Sequence, residues 1–457
     1  MKKGKLTLFI VPFLALANAS LLSACGPKTD YTLTIYNWED YIYEATDEMG
    51  NIIAGEKSTV QAFKDYFEEK TGKTITIDYE NFSTNEEMYQ QIKLGAISPD
   101  LICPSDYMIQ KMANEGMLEK FSYNEKDDKY GASLENWENY QSPFIHDRFK
   151  AEKLEDGNSF LSYAVPYFWG TMGFTYDSAW FTKEDVNSWE ALWKTSADEG
   201  AGKKKFEKQF SLKDSMRDTY VAAIFHVYKD EIDALDKTAS DYNAKLGQIF
   251  NRCDKDTIAK VEAALKGAKY AVQGFEVDEG KDDIVRGSYH ANLAWSGDSV
   301  YSMDNAEAAE PAVYLNYIVP EEGSNVWFDG WCMPKGSQKE LAEEFVNFIS
   351  NPENAAKCME SVGYTSPAVG DEIWELVNDW YAADEDETET YEVDLSFYFG
   401  DSIEEAALIN IPLENEGRQF DAQYPTEEVL NRCCIMKDFG KAQADVEDMW
   451  LRVKAAY

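Results

Sequence analysis

The sequence predicts an α/β protein whose core is divided between two domains. Two observations carry this. After a leader, the chain opens with strand-like and helix-like segments in the order β-α-β-α-β, the pattern of parallel strands joined by crossover helices. At 457 residues, 44% of them hydrophobic, the chain also exceeds the length over which a single core grows efficiently.

The elements follow from local pattern. Tyr31 to Tyr36 alternates as a strand, with Tyr31, Leu33 and Ile35 on one face. Ser58 is placed to cap a helix whose Val60, Phe63 and Phe67 share a side, and Gly72 ends it. Thr74 to Tyr79 is β-branched and reads as a second strand, Asn85 to Leu94 as a helix, Asp100 to Pro104 as a short apolar strand, and Tyr107 to Met117 as a helix. Pro166-Tyr167-Phe168-Trp169-Gly170 precedes a strand-like run, Met172 to Tyr176. A helix carrying Val221, Ile224, Phe225 and Tyr228 starts near Asp214. Leu293 to Asp298 reads as strand, turn and helix start, and Trp327 to Trp331 introduces another strand. Ser337 and Glu340 have the spacing of a capping box for a helix with Leu341, Phe345 and Phe348; Pro352 opens the next helix, which ends near Gly363. The acidic run Asp384 to Glu392 lacks the glycine of a calcium loop and reads as a solvated insertion.

The first 24 residues read as a leader. Lys2, Lys3 and Lys5 are followed by an apolar run from Leu6 to Leu22, and Leu22-Ser23-Ala24-Cys25 closes it as a lipoprotein cleavage box. The run is broken by Pro12 and Asn18, and it falls short of the roughly 20 apolar residues a spanning helix needs. The mature chain is expected to begin at a diacylated (palmitate-type) Cys25 and to be held outside the cytoplasmic membrane, at the cell surface or in the periplasm.

Composition excludes more than it identifies. A net charge of −41 repels nucleic acid and anionic lipid and favours cationic ligands. Besides Cys25, the cysteines Cys103, Cys253, Cys332, Cys358, Cys433 and Cys434 show no metal-binding spacing, and adjacent Cys433 and Cys434 bridge each other only with difficulty. His146, His226 and His290 are far apart in sequence and read as packing or surface residues. No GxSxG, HExxH or Walker A motif occurs, so neither catalysis nor a cofactor nor a metal is expected. In parallel sheets, ligands bind beyond the carboxyl ends of the strands. Trp38-Glu39-Asp40-Tyr41 and Ser105-Asp106-Tyr107 fall there, although Ser105 would also serve as a helix cap and Trp38 and Tyr41 as rim packing.

Seven segments in order resemble the polyamine-binding (spermidine/putrescine) proteins of ATP-binding cassette importers. They are YNWEDYI (Tyr36 to Ile42), CPSDYMIQKM (Cys103 to Met112), VPYFWG (Val165 to Gly170), SWEALW (Ser188 to Trp193), LAWSGD (Leu293 to Asp298), VPEEGSNVWFDGWCMP (Val319 to Pro334) and VGYTSP (Val362 to Pro367). The resemblance implies a type II periplasmic-binding-protein fold, with a ligand cleft between two lobes, each a mostly parallel sheet flanked by helices. One lobe would comprise residues 31–170 plus 328–372 and the other 171–327 plus 373–457. It further implies a monomer that delivers its ligand to a permease and its ATPase, and cleft residues Trp38, Glu39, Asp40, Tyr41, Ser105, Tyr107, Asp214, Asp218, Trp295, Trp327, Asp329 and Tyr364.

The chemistry of those residue types fits such a ligand. A polyamine is a row of ammonium groups on flexible methylenes, so a site needs carboxylates to pair the charges and flat rings to cover the chain. The empty cleft is expected to stay open, since unpaired carboxylates buried together are costly. Ser215 and Asp218 also have capping-box spacing and Asp214 could cap the same helix, while Trp193 and Trp331 read as core. Three positions depart from the family pattern: Glu39 stands where threonine or serine is common, Ser215 replaces one of an acidic pair, and Met436 falls near the family's downstream glutamine. Residues 43–57 and 375–420 have no counterpart in the shortest members, and Trp327 leans toward the spermidine-preferring branch. Two alternatives remain: a binding protein of the same fold for another organic cation, and a surface-anchored glycan hydrolase, whose cleft would also combine carboxylates with tryptophans.

Overall fold

The computed structural model describes residues 29–46, 51–199, 204–276, 279–404 and 406–457. The leader, Cys25 and part of the 43–57 segment lie outside these.

Nine strands and seven helices position the site. Strand β1 is Tyr31–Trp38, followed by α1 (Thr59–Thr71), β2 (Ile75–Phe82), α2 (Asn85–Lys93), β3 (Leu101–Ile102) and α3 (Asp106–Asn114). The long strand β4 (Ala164–Asp177) comes next, then β5 (Phe210–Lys213), α4 (Met216–Val227), β6 (Val272–Glu276), β7 (Ala291–Trp295), α5 (Ser296–Ala308), β8 (Leu315–Ile318) and the second long strand, β9 (Ser324–Pro334). Helices α6 (Lys339–Ile349) and α7 (Pro352–Val362) follow. The opening β-α-β-α-β is present with the caps expected of it: Ser58 accepts from the Gln61 N–H, and Gly72 adopts the left-handed conformation that ends α1.

The strands form one mixed sheet in the order β2-β1-β3-β9-β4-β7-β5-β6, with β8 also on β4. Strands β2, β1 and β3 run parallel at one end and β7, β5 and β6 at the other. Between them, β4 and β9 are antiparallel and cross from one parallel wing to the other. Residues Ala164 to Thr171 of β4 pair with β9, and from Met172 onward β4 pairs with β7 instead. Gly170 marks the exchange, where a Cβ would lie 2.4 Å from Ser296 Oγ and 2.7 Å from the Trp327 ring. The VPYFWG motif is therefore strand rather than a lead-in. Its Pro166, which lacks an N–H to donate, sits where the β4–β9 register shifts between Asp329 and Gly330.

Two apolar cores flank the sheet. One gathers Leu33, Phe63, Met88, Ile102, Trp137, Trp169, Phe328 and Trp331; the other gathers Phe174, Trp189, Phe210, Ile224, Leu246, Val261 and Leu293. The C-terminal segment packs on both cores. Ile373, Tyr398, Phe420, Tyr424 and Ile435 are buried in the first core, and Met436, Val446, Trp450 and Val453 join the second. Helix α6 starts two residues after Ser337, with Gln338 at the N-cap position; the Ser337 hydroxyl donates back to Pro334 O, so the expected capping box is not formed. Each histidine lies beside a carboxylate, His146 by Asp128, His226 by Glu190 and His290 by Asp177; His226 stacks on Trp193 and His290 on Trp180. All six described cysteines are free thiols.

Candidate functional site

The carboxyl ends of the parallel strands in both wings converge on the junction of β4 and β9. Trp327 and Asp329 are two apart on β9 and so share a face, while Phe328 between them enters the first core. Asp329 is only 6% exposed. The Tyr41 hydroxyl donates to its Oδ2 at 2.7 Å, and just past the end of β3 the Ser105 backbone forms an isolated antiparallel bridge with the Asp329 backbone. Asp329 Oδ1 has no hydrogen-bond partner among the described residues. Burial pushes the Asp329 pKa up to about 6, with the Ser105 and Tyr41 hydroxyls pulling it back only in part.

The turn after β1 is built to present Tyr41. Asp40 takes a left-handed φ of 52°, Asn81 donates to Trp38 O, and Tyr167 donates to Tyr41 O at 2.9 Å. Tyr41 packs edge-on against Phe168 and Tyr364, and Tyr364 meets Trp327 edge-on with ring centroids 5.2 Å apart. Ser105 occupies the N-cap position of α3 yet makes no capping bond; its hydroxyl instead accepts from Asn85 at 3.0 Å. Asp106, next in the chain, is 1% exposed and has a carboxyl pKa raised well above the usual range by burial.

The other wing supplies a second group. Ser215 caps α4 by accepting the Asp218 N–H, while the Ser215 hydroxyl and the Trp295 indole near the buried Asp218 carboxylate favour its charged form. Burial raises the Asp218 pKa despite those bonds. Trp295 ends β7, and its ring lies 4.5 Å from the Lys213 ammonium at the end of β5. Lys213 donates to Asp298 Oδ2 at 3.1 Å and lies 3.5 Å from Glu276.

Two contacts join the wings across the junction. The Tyr364 hydroxyl donates to Asp298 Oδ1 at 2.9 Å, and the Arg217 guanidinium covers the Tyr107 ring at 4.1 Å. The first requires Gly297, since a Cβ there would come within 1.7 Å of the Tyr364 ring. The site is thus closed rather than open as expected, because these bridges and the edge-on rings leave Trp327, Asp329 and Asp218 with less than a tenth of their surface exposed.

Of the residues singled out from sequence, Tyr41, Ser105, Trp327, Asp329 and Tyr364 meet in one group, and Asp218 with Trp295 forms the group facing it. Trp38 packs at a tilt against Phe82 beside them, its indole N–H buried and without a hydrogen-bond partner among the described residues. Tyr107 is drawn to Asn85, Glu86 and Arg217. Three residues are not brought in. Glu39 and Asp40 are exposed on the turn, and Asp214 pairs with Lys454 of the C-terminal helix at 2.9 Å. Sequence reasoning missed Asp106, Asp298, Glu276 and Lys213. Asp106 and Asp298 lay inside quoted motifs, whereas Glu276 and Lys213 had only their positions at strand ends to mark them.

Comparison with known proteins agrees with this architecture. The sequence profile of the bacterial extracellular solute-binding proteins matches residues 62–385, and the chain belongs to that family. It is therefore an extracytoplasmic solute-binding protein and not an enzyme, which sets the hydrolase alternative aside. It is 26% identical to the spermidine/putrescine-binding periplasmic protein of Salmonella typhimurium over 80% of this chain and 85% of that one. It is 27% identical to the putrescine-binding periplasmic protein SpuD of Pseudomonas aeruginosa over 77% of this chain and 82% of that one. Among solved structures, it is similar to the spermidine/putrescine transporter substrate-binding protein PotD of Streptococcus pneumoniae, with a TM-score of 0.59 and 25% identity, covering 93% of this chain and 99% of that one.

Proposed function

We propose that the chain captures a polyamine, spermidine and/or putrescine, and delivers it to the permease and ATPase of an ATP-binding cassette importer. Asp329 carries the reading: a carboxylate with one free oxygen, buried beside Trp327, Tyr41 and Tyr364. A ligand ammonium would restore its charge balance and give Oδ1 a charge-assisted hydrogen bond. The rings would cover the methylenes and add cation–π contacts worth about 0.5 to 2 kcal/mol each. The names of the relatives above support the same ligand class.

In this reading Trp38, Ser105, Tyr107, Asp218 and Trp295 complete the ligand shell, with Glu39 and Asp40 at its rim. The two wings act as lobes that part about the β4–β9 crossing. We further propose that Cys25 is lipidated and anchors a monomeric protein outside the cytoplasmic membrane, so Cys25→Ala should release it into the soluble fraction without impairing binding. Equal membrane retention of variant and wild type would sink the anchor. For the ligand, calorimetric titration with spermidine, putrescine, cadaverine and a panel of sugars is expected to show binding of the amines alone. Heat from none of the amines would refute the polyamine reading and leave another organic cation as the ligand.

A further inference from the structure

Lys213 is a lysine inside an amine-binding protein, and it sits where an amine would be bound. Its side chain is 1% exposed. Its ammonium lies 3.1 Å from Asp298 Oδ2, 3.5 Å from Glu276 Oε1 and 4.5 Å from the centre of the Trp295 ring. Two carboxylates and an indole face are what an alkylammonium requires of a receptor. The cluster is also continuous with the site at Asp329, because Tyr364 packs on Tyr41 and Trp327 and donates to the same Asp298 carboxylate that holds Lys213. Burial disfavours the charged amine, but the Asp298 and Glu276 carboxylates outweigh it and hold the Lys213 pKa above its ordinary value.

Resting on the polyamine reading, we propose that Lys213 is a built-in alkylammonium that fills the Asp298–Glu276–Trp295 end of the site and so selects a short diamine over a longer triamine. The lysine side chain is four methylenes and an ammonium, chemically one end of a diaminoalkane. With that end occupied, Asp329 and Asp218, with the buried Asp106 near Asp329, remain for the ammonium groups of a ligand among the described residues. A third ammonium directed past Tyr364 would meet a cation already in place. This opposes the spermidine leaning drawn from Trp327 and assigns length selection to the other wing.

Two measurements separate this from the reading beneath it. In the first, thermal unfolding of Lys213→Ala is followed with added n-propylammonium chloride, which carries the three carbons and the ammonium that the substitution deletes. The variant should gain at least a few degrees that wild type does not gain; equal responses would overturn the ammonium pocket whatever the natural ligand is. In the second, putrescine and spermidine are titrated into wild type and Lys213→Met. The ratio of spermidine to putrescine affinity should rise at least tenfold in the variant, and an unchanged ratio would overturn the selectivity claim. If the single variant does not fold, Lys213→Met with Glu276→Gln removes one of the two carboxylates left without a cation, Asp298 keeping its bond from Tyr364, and the same shift in ratio is expected of it. Failure of wild type to bind either amine would instead count against the polyamine reading, leaving the propylammonium result to stand alone.

Discussion

The two wings each bring an acid and a tryptophan to the junction, yet they treat the acid in opposite ways. On β9, Asp329 is given two neighbouring hydroxyls and no cation, and one of its oxygens is left without a partner. At the ends of β5 and β6, Asp298 and Glu276 share the Lys213 ammonium, and Asp298 also accepts from Tyr364. The residue types alone do not distinguish these corners. What distinguishes them is whether the chain supplies its own counter-charge: a carboxylate left short of one is poised for a ligand, and one already paired is structural or selective.

The sharpest way to break this contrast is to neutralise Asp329. Asp329→Asn keeps the shape and removes the charge, so it should cost about 2 to 5 kcal/mol of amine binding by leaving a ligand ammonium buried and unpaired. The unliganded protein should respond in the opposite direction. The folded pKa of about 6 lies above the ordinary aspartate value of 3.8, so between those values the folded state holds the proton more tightly than the unfolded state. Stability is therefore greatest below that window and is lost as pH rises through it. Removing the charge should stabilise the empty protein at pH 7 by on the order of 2 kcal/mol. A variant that binds spermidine and putrescine as tightly as wild type would refute Asp329 as an amine ligand.

The same shift sets the pH at which binding fails. Ordinary carboxylates would place the loss of affinity near pH 4, whereas burial moves Asp329 to about 6 and raises Asp218 as well. Affinity for a diamine should hold above pH 7 and fall roughly tenfold, about 1.4 kcal/mol, per proton-linked unit below pH 6. Titrations at pH 7, 6 and 5 check it; a flat profile with the fold intact would mean that the ligand does not rely on Asp329.

A smaller effect is expected from the ring that covers the ligand. Trp327→Phe retains an aromatic face but loses area and the indole bond to Thr171 O at 3.4 Å. The loss should be about 0.5 to 1 kcal/mol, within the range of a weakened cation–π contact, measured by the same titration. A loss larger than that of Asp329→Asn would make the site aromatic-led rather than charge-led.

Much of this arrangement was legible because it rests on local rules. Alternation places Trp327 and Asp329 on one face of a strand, and the first turn after a parallel strand presents Tyr41 and Ser105, so periodicity and topology suffice. What escaped depends on distant segments meeting. Lys213 is a strand-end lysine until β6 and α5 bring Glu276 and Asp298 to it from 63 and 85 positions away. The register shift beside Pro166 follows from the β4–β9 pairing, which no periodicity reports. Placing the whole C-terminal segment in the second lobe fails to foresee its packing for the same reason: Phe420 and Ile435 are apolar in either core, and only packing decides which one takes them. Ser337 and Glu340 show the converse failure, where correct spacing was overruled by a turn that drew the serine to Pro334 O.

Asp214 sharpens the contrast at its weakest point, since the sequence offered it almost as readily as Asp218, four residues on. Its carboxylate is held by the Lys454 ammonium through both oxygens, at 2.9 and 3.2 Å. Each partner keeps about a third of its side chain exposed, at 32% and 38%, so solvent screens the pair, and its contribution to stability should be about 0 to 1 kcal/mol. Because the chain already supplies the counter-charge, Asp214→Ala should leave amine affinity within about twofold of wild type and lower the melting temperature by at most a few degrees. Asp218→Ala, which removes a buried carboxylate with no cation of its own in contact, should weaken binding clearly more. A tenfold loss of affinity in Asp214→Ala with an unchanged melting curve would show that this aspartate leaves Lys454 to reach the ligand, and that pairing in the closed form does not tell a structural acid from a binding one.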